Sequence, residues 1–316
     1  MPEQPVASGA SAMPDLAVCA VVVSYRPDIA LLTALLDSLE SQVGHVVVVD
    51  NASPESAFRG LCEGRDRVEL LPLPENLGLA TALNMGIARA RARQGVSHVM
   101  LMDQDSVPET GMVVALKTAF DAWPENTKVA AAGPRFRDPR EGEDAPFVRV
   151  RFPFNRRVHC TGDRVAVACD FLITSGSLIP LAVLDSVGDM DDGLFIDNVD
   201  LEWCFRAASK GYALLGVCGA RMLHHHGAER HRLPGLPRGI VVHTPRRLYY
   251  MMRNRVLLYR RAYTPARWIA QDVPRLIVKL LLFALLVAPR RQNLRCMLAG
   301  LKAGIAGRTA PPPDID

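Results

Sequence analysis

Two carboxylates separated by one residue, Asp103 and Asp105, follow an apolar run in the segment VMLMDQDS. Carboxylate oxygens at this spacing can share a divalent cation, with phosphate oxygens completing its coordination. The same pattern is common in solvated loops, but its place at the end of a predicted strand favours a site. We therefore interpret Asp103 and Asp105 as candidate metal ligands.

Three further segments carry polar groups where chemistry could occur. Asp50 ends the run VVVVD, where a carboxylate can accept hydrogen bonds from a base or a ribose, or can equally close a turn. Asn76 and Gly78 precede a predicted helix, whose N-terminal N–H groups favour an anion. In the run LHHHG, which begins at Leu223, one imidazole could be a third metal ligand or a donor to a diphosphate.

The segment FIDNVDLEW places Asp197 and Asp200 where a helix is predicted to begin. A carboxylate at this position can cap the helix, and Glu202 can favour its dipole. Alternatively, one of these acids acts as a general base that removes the proton from an acceptor hydroxyl. The residues by themselves leave both interpretations open.

The elements around these residues predict an α/β fold with a doubly wound, mostly parallel sheet and helices on both faces. Buried β-branched runs alternate with helical patterns of about a dozen residues. In such sheets ligands bind beyond the carboxyl ends of the strands, where Asp50 and Asp103 are expected to lie. The predicted strands are 17–24, 46–49, 68–71, 98–102, 128–132 and 213–217. Residues 135–165 are predicted to form an irregular, mobile excursion over the site.

Charge divides the chain into an acidic front and a basic back. Residues 1–220 contain 29 acidic and 19 basic side chains, whereas residues 221–316 contain 4 acidic and 18 basic ones. Beyond Arg246 the pattern becomes helical, with apolar stripes flanked by arginine. These stripes are too apolar for a nucleic-acid surface and favour helices that lie in the headgroup layer of an anionic membrane. The longest apolar run, 276–288, is too short to cross a bilayer, which needs roughly 20 residues.

Seven cysteines are scattered along the chain without a CxxC pair. We therefore expect no disulfide framework and no zinc ribbon, and a reducing, cytosolic compartment. Met1 to Pro14 lacks the basic region of a signal peptide. The predicted organisation is a disordered segment 1–15, a catalytic domain 16–240, a membrane-associating helical region 241–305 and a tail 306–316.

A family resemblance appears once the motifs are taken in order. VVVSYRPD, VVDNAS, NLGLATALNMGI, LMDQDS, FIDNVDLEWCFR and LHHHG occur between residues 18 and 227, and YYMMRN follows. Together they resemble the inverting glycosyltransferases of family 2, which have a GT-A fold, and most of all the bacterial dTDP-rhamnosyltransferases. The resemblance implies a dTDP-L-rhamnose donor and Mg²⁺ or Mn²⁺ as cofactor. The apolar, arginine-flanked C-terminal helices suggest a lipid-linked or glycolipid acceptor at the cytoplasmic face of the inner membrane.

Residues and resemblance together predict the roles of ten side chains and backbone positions. The predicted donor-binding residues are Ser24, Tyr25, Asp50, Asn76, Gly78 and Asp103. The predicted metal ligands are Asp105, Asp103 and His224. Asp200 is the predicted general base and Asp197 the competing choice.

Other functions also fit parts of the pattern. One is the same fold transferring another hexose from a UDP- or GDP-sugar. Another is a phosphatase in which Asp103 is phosphorylated and Asp105 acts as acid and base. A third is a basic adaptor without catalytic activity.

Overall fold

The computed structural model describes residues 13–54, 59–140, 142–225, 230–233 and 236–310. Most of the predicted N-terminal segment 1–15 lies outside these residues, although the first strand already begins at Asp15. Of the predicted tail, residues 311–316 also lie outside them.

Strands and helices alternate through the first half of the described chain, as predicted. The strands are β1 Asp15–Ser24, β2 Val43–Asp50, β3 Val68–Pro72, β4 His98–Asp103, β5 Ser106–Pro108, β6 Val129–Arg137, β7 Phe147–Arg149, β8 Arg156–Val158, β9 Ala166–Cys169, β10 Ser177–Pro180, β11 Ala213–His224, β12 Arg230–Leu233 and β13 Leu236–Val241. The helices are α1 Ile29–Glu40, α2 Arg59–Glu63, α3 Leu79–Arg91, α4 Met112–Asp121, α5 Leu181–Val187, α6 Val199–Ser209, α7 Pro245–Tyr259, α8 Ala266–Leu285 and α9 Arg290–Ile305.

One large sheet organises the molecule, in the order β3-β2-β1-β4-β10-β6-β11-β5, with β9 also beside β11. The four strands β3, β2, β1 and β4 run parallel to one another, and β6 is parallel to β11. Strand β10 lies antiparallel between β4 and β6 and joins these two parallel groups. The predicted α/β sheet is confirmed.

Helices cover both faces of the sheet, and its central strands therefore carry apolar side chains on both sides. Along β1, Val18, Ala20 and Val22 pack in one core with α1 and α4. The alternate residues Val21 and Val23 pack in a second core with α3, α5 and α6. This period of two explains why the strands appear in the sequence as continuous apolar runs.

The segment 135–165 is more regular than predicted. It contains the end of β6 and the hairpin of β7 and β8, and the backbone N–H of Asp170 donates to the oxygen of Val148 at 2.9 Å. A disulfide between Cys160 and Cys218 joins the exit of this hairpin to β11. The expectation of a chain without disulfides is therefore wrong. The two cysteines are 58 residues apart, and only the tertiary structure brings their Cα atoms to 5.5 Å.

The C-terminal helices form a layer that is joined closely to the rest of the protein. Helix α9 crosses α7 at two glycines: a Cβ at Gly300 would lie 2.3 Å from the backbone oxygen of Tyr249, and one at Gly304 would lie 2.7 Å from that of Arg253. No helix of the described residues combines the length and the apolar character that crossing a bilayer requires.

Candidate active site

The predicted metal ligands converge at the carboxyl ends of β4 and β11. One ligand atom from each of Asp103, Asp105 and His224 lies within 4.8 Å of the others. The register explains this, because β5 pairs antiparallel with β11 and sets Ser106 opposite His224. The Nδ1 atom of His224 lies 2.5 Å from Ser106 Oγ and 3.5 Å from Asp105 Oδ1.

Chemically, this group of side chains fits a divalent cation. Carboxylate oxygens suit Mg²⁺ and Mn²⁺, and an imidazole is a common additional metal ligand. Burial raises the pKa of Asp103 to about 7, with Asp105 and Asp200 adding to the rise and Arg247 opposing it. Such a concentration of negative charge favours a bound cation. His226, the last residue of the histidine run, lies outside the described residues.

Ser24 and Asp50 lie at the ends of adjacent strands, where they are paired in register. Ser24 is fully buried, and its Oγ has no hydrogen-bond partner among the described residues. Asp50 is also buried, and its Oδ1 accepts the backbone N–H of Ser53 at 2.9 Å. This bond closes a turn, which is one of the two roles predicted for Asp50. The other carboxylate oxygen, Oδ2, takes no part in it.

Tyr25 is held beside these strand ends through its backbone. Its N–H donates to Gln104 Oε1 at 2.7 Å, and its carbonyl accepts from Gln104 Nε2 at 3.2 Å. The phenol ring is 39% exposed, and the guanidinium of Arg26 lies over it. Gln104, the middle residue of the Asp103–Asp105 segment, thus ties the end of β1 to the end of β4.

Asn76 and Gly78 have structural partners that the sequence did not reveal. Asn76 Oδ1 accepts from Asn51 Nδ2 at 3.1 Å and from the N–H of Gly78 at 3.0 Å. Gly78 has φ +88, and a Cβ there would lie 2.5 Å from the ring of Phe195. Their contacts therefore shape the loop before α3, and donor binding by these two residues stays a prediction.

Asp200 lies in the first turn of α6, close to the acidic cluster. Its Oδ1 accepts the backbone N–H of Leu201 at 2.8 Å. Burial raises the pKa of Asp200 to about 6; the backbone hydrogen bond to Leu201 opposes this rise and the charge of Asp197 adds to it. A carboxylate with this pKa is ionised at neutral pH and is still basic enough to accept a proton, which is what general-base catalysis requires.

Asp197, the competing choice for the base, is engaged by an arginine. Arg247 Nη2 lies 3.0 Å from Asp197 Oδ1 and its Nε lies 3.1 Å from Oδ2, in a two-pronged ion pair. Such pairs hold both carboxylate oxygens in a fixed orientation. Asp197 therefore has a positioning partner, whereas the side chain of Asp200 has no ion pair among the described residues. Arg247, two residues before the motif YYMMRN, was not among the site residues predicted from the sequence.

The loop between α5 and α6 carries unusual backbone angles. Phe195, Asp197 and Asn198 all have φ between 63 and 64. Non-glycine residues in this region are strained by about 1–3 kcal/mol each and persist only where the surroundings hold them. Three such residues within four positions show that other parts of the protein hold this loop firmly.

Helix α7 supplies those restraints. Asn254 Nδ2 donates to the backbone oxygens of Leu194, Ile196 and Asp197, at 2.8, 2.6 and 2.9 Å. The ring of Tyr250 stacks on Phe195, with centroids 4.6 Å apart. The motif YYMMRN, which the sequence offered only as a signature, is therefore the support of the loop that leads into Asp200.

Arg253, fully buried, extends the same support. One of its terminal nitrogens donates to the oxygens of Gly193 and Leu194, and the other donates to those of Thr309 and Ala310. This arginine therefore links the loop between α5 and α6 to the residues that follow α9.

Glu202 has a structural role. It is 1% exposed and accepts two hydrogen bonds of 2.9 Å from Arg206, and the hydroxyl of Tyr263 also donates to it. Arg206 in turn donates to the backbone oxygens of Val187 and Asp189. A carboxylate with so many donors is held in place rather than available to a substrate.

Comparisons with known proteins agree with these motifs. The profile of glycosyl transferase family 2 matches residues 19–173. The chain is 30% identical over 291 residues to the dTDP-rhamnosyl transferase RfbF of Shigella flexneri, across 92% of this chain and 95% of that protein. It is 26% identical over 245 residues to the N-acetylglucosaminyl-diphospho-decaprenol L-rhamnosyltransferase of Mycobacterium tuberculosis (strain CDC 1551 / Oshkosh), across 69% of this chain and 78% of that protein.

Solved structures show the same fold at low identity. GalNAc-T7 with UDP, GalNAc and Mn²⁺ superposes with a TM-score of 0.58 and 14% identity, covering 92% of this chain and 56% of that one. TarS 1-349 of S. aureus in complex with UDP gives a TM-score of 0.55 and 12% identity, covering 93% of this chain and 92% of that one. The present chain thus spans little more than half the length of GalNAc-T7.

Proposed function

Because the chain belongs to glycosyl transferase family 2, we propose that it transfers L-rhamnose from dTDP-L-rhamnose to a hydroxyl of a lipid-linked or glycolipid acceptor. One observation supports this most: the similarity to the dTDP-rhamnosyl transferase of Shigella flexneri extends over 92% of the chain. The second relative supports a lipid-linked acceptor, since its name gives a diphospho-decaprenol glycan as substrate. Family membership leaves no support for the phosphatase alternative.

In the proposed reaction, the donor lies across the carboxyl ends of β1, β2 and β4. Asp50 and the unpartnered hydroxyl of Ser24 face the nucleoside, and Tyr25 lies at the rim of this pocket. A divalent cation held by Asp103, Asp105 and His224 would neutralise the negative charge that develops on the leaving nucleoside diphosphate.

Asp200 removes the proton from the acceptor hydroxyl while the hydroxyl oxygen attacks the anomeric carbon. Attack from the face opposite the diphosphate inverts the configuration, so a β-linked donor yields an α-rhamnoside. Asp197 keeps the loop in position through its ion pair with Arg247. This division of roles rests on the ion pair of Asp197 and on the raised pKa of Asp200.

The acceptor side of the proposal concerns the C-terminal helices. Helix α8 exposes a row of aliphatic side chains, and arginines follow it at the start of α9. We propose that this region brings the enzyme to the cytoplasmic face of the inner membrane, where the acceptor would be a precursor of O-antigen or another surface polysaccharide, or a rhamnolipid. The predicted reducing compartment was inferred from the expected absence of disulfides, and the Cys160–Cys218 disulfide removes that inference. The proposed position at the cytoplasmic face therefore rests on the lipid-borne acceptor alone.

Ligand-induced thermal shifts test the donor. We expect dTDP-L-rhamnose with Mn²⁺ to raise the melting temperature more than UDP- or GDP-sugars do, and chelation of the metal to reduce the effect. A larger response to a UDP- or GDP-hexose would identify the alternative donor. If no sugar nucleotide changes the melting temperature, the proposed function is wrong.

Two matched substitutions test the base. With dTDP-L-rhamnose and N-acetylglucosaminyl-diphospho-decaprenol, Asp200→Asn should lower kcat by about 10²-fold or more, because it removes the proton acceptor. The donor-induced thermal shift should persist in this variant. Asp197→Asn tests the competing choice: a larger loss of kcat in this variant than in Asp200→Asn would assign the base to Asp197.

A further inference from the structure

Two large aromatic side chains project from the tip of the β7–β8 hairpin. Phe152 is 65% exposed and Phe154 is 78% exposed, whereas Val150 at the base of the turn is fully buried. Phenylalanine is among the residues most often buried in folded proteins, so two exposed rings on one turn suggest an interaction site.

The base of the hairpin is fixed, so the exposure of the tip does not come from a loose turn. Asp170 Oδ2 accepts the N–H of Val150 at 2.6 Å, and Asp170 Oδ1 lies 3.1 Å from Nε of Arg149. The Cys160–Cys218 disulfide closes the exit of the hairpin. These restraints hold the two rings outward.

The tip lies beside α8. Gln271 Nε2 of this helix donates to the backbone oxygen of Arg151 at 3.4 Å. The outer face of α8 then exposes a row of aliphatic side chains, which are Val273, Ile277, Val278, Leu281 and Leu285. The opposite face of the helix buries Trp268, Leu276 and Phe283.

Charge identifies the partner. Residues 149–157 contain four arginines and no acidic residue, and of these Arg149 pairs with Asp170. Along α8 and at the start of α9, Arg275, Arg290 and Arg291 are exposed. Aliphatic and aromatic side chains framed by cations match the acyl chains and anionic headgroups of a lipid leaflet.

We propose that Phe152 and Phe154 insert into an anionic lipid bilayer, next to the aliphatic face of α8. The hairpin tip and α8 then dock on the membrane as two separate contacts. Two contacts fix the orientation of the catalytic domain, whereas one helix would leave it free to rotate about the helix axis. This proposal rests on the proposed function only in that a lipid-borne acceptor gives the enzyme a reason to be at a membrane.

Vesicle binding by the full chain tests the proposal without reference to activity. The probes are vesicles of phosphatidylethanolamine with phosphatidylglycerol, and vesicles of phosphatidylcholine alone. Phe152→Asp with Phe154→Asp should weaken binding to the anionic vesicles by about tenfold or more, since two apolar anchors are lost. The control, Leu16→Asp with Val114→Asp, adds the same two charges at side chains that are 66% and 48% exposed on β1 and α4. It should bind like the wild type.

Insertion itself is measured with tryptophan. Phe152→Trp and Phe154→Trp each add a fluorophore, and brominated lipids should quench the added emission in the bound protein. Trp203 and Trp268 are 2% and 5% exposed. The third tryptophan, Trp123 just after α4, is partly exposed, so quenching of the wild type gives the background that each added tryptophan must exceed. The proposal is overturned if the aspartate variant binds as well as its control, or if the added tryptophans are not quenched.

Self-association is the remaining outcome to separate. Sedimentation velocity without lipid would overturn the proposal if the wild type were a dimer and the aspartate variant a monomer. The dTDP-L-rhamnose thermal shift should be unchanged in the aspartate variant, which shows that it is folded. A wild type that binds vesicles but no sugar nucleotide would leave this proposal standing and overturn the proposed function.

Discussion

Asp200 and Asp197 are neighbouring carboxylates with different surroundings, and we propose that these surroundings give them different roles. Burial makes Asp200 more basic, with a pKa raised to about 6, while Arg247 holds both oxygens of Asp197. Only two residues lie between the two acids in the sequence. The family resemblance ranked Asp200 first as the base, and the tertiary contacts support that order.

The raised pKa of Asp200 predicts a pH dependence. Below pH 6 the carboxyl group becomes protonated and can no longer accept the acceptor's proton. We therefore expect kcat to fall about tenfold per pH unit on the acid side, with an apparent pKa near 6. The pH profile of kcat at saturating substrates measures this. An acid limb near the ordinary aspartate value of 3.8 would contradict the assignment.

Among the elements, α7 makes the hydrogen bonds that hold the loop between α5 and α6. Asn254→Ala removes the two N–H donors that three backbone oxygens share, and we expect a loss of about 3 kcal/mol in the free energy of unfolding. The loop also loses its position, so kcat should fall more than stability alone would explain. Denaturant unfolding and kcat at a temperature where the variant stays folded measure both effects.

Asn293 offers a matched control for this change. It is also a buried asparagine, but its Nδ2 donates to one backbone oxygen, that of Val287, between α8 and α9. Asn293→Ala should cost about 1 kcal/mol and leave kcat near the wild-type value. Equal kcat losses in the two variants would argue against a special role for α7 at the loop.

The crossing of α7 and α9 depends on Gly300. Gly300→Ala would place a Cβ 2.3 Å from the backbone oxygen of Tyr249, so the two helices would have to separate. We expect a loss of about 1–3 kcal/mol in the free energy of unfolding, measured by chemical denaturation. Gly60→Ala, where nothing lies within 4 Å, is the control and should be neutral or slightly stabilising.

At the level of the whole molecule, we expect the regions on the two sides of the boundary predicted at residue 240 to fold as one unit. Arg253 and Asn254 of α7 hold the loop 193–197, and Arg253 also reaches the backbone beyond α9. A fragment of residues 1–240 should therefore show no cooperative unfolding transition and no thermal shift with dTDP-L-rhamnose. A fragment of residues 1–310, which keeps these contacts, should behave like the full chain. Normal donor binding by 1–240 would contradict this view.

The sequence alone determined the alternating α/β elements and, to within one residue, the ends of β1 to β4, whereas it ended β6 and β11 several residues early. That was possible because a buried strand and the polar residue that follows it are local features of the chain. Asp103 and Asp105 could be assigned as a pair for this reason, and strand order then brought His224 to them. The same motifs were sufficient for the family resemblance.

The tertiary structure decided what depends on contacts between distant segments. Asn254 and Leu194 are 60 residues apart, and Cys160 and Cys218 are 58 apart. No local pattern reports such pairs, because many different folds can bring two segments together. The different surroundings of Asp197 and Asp200, the disulfide and the outward position of Phe152 and Phe154 all follow from packing of this kind.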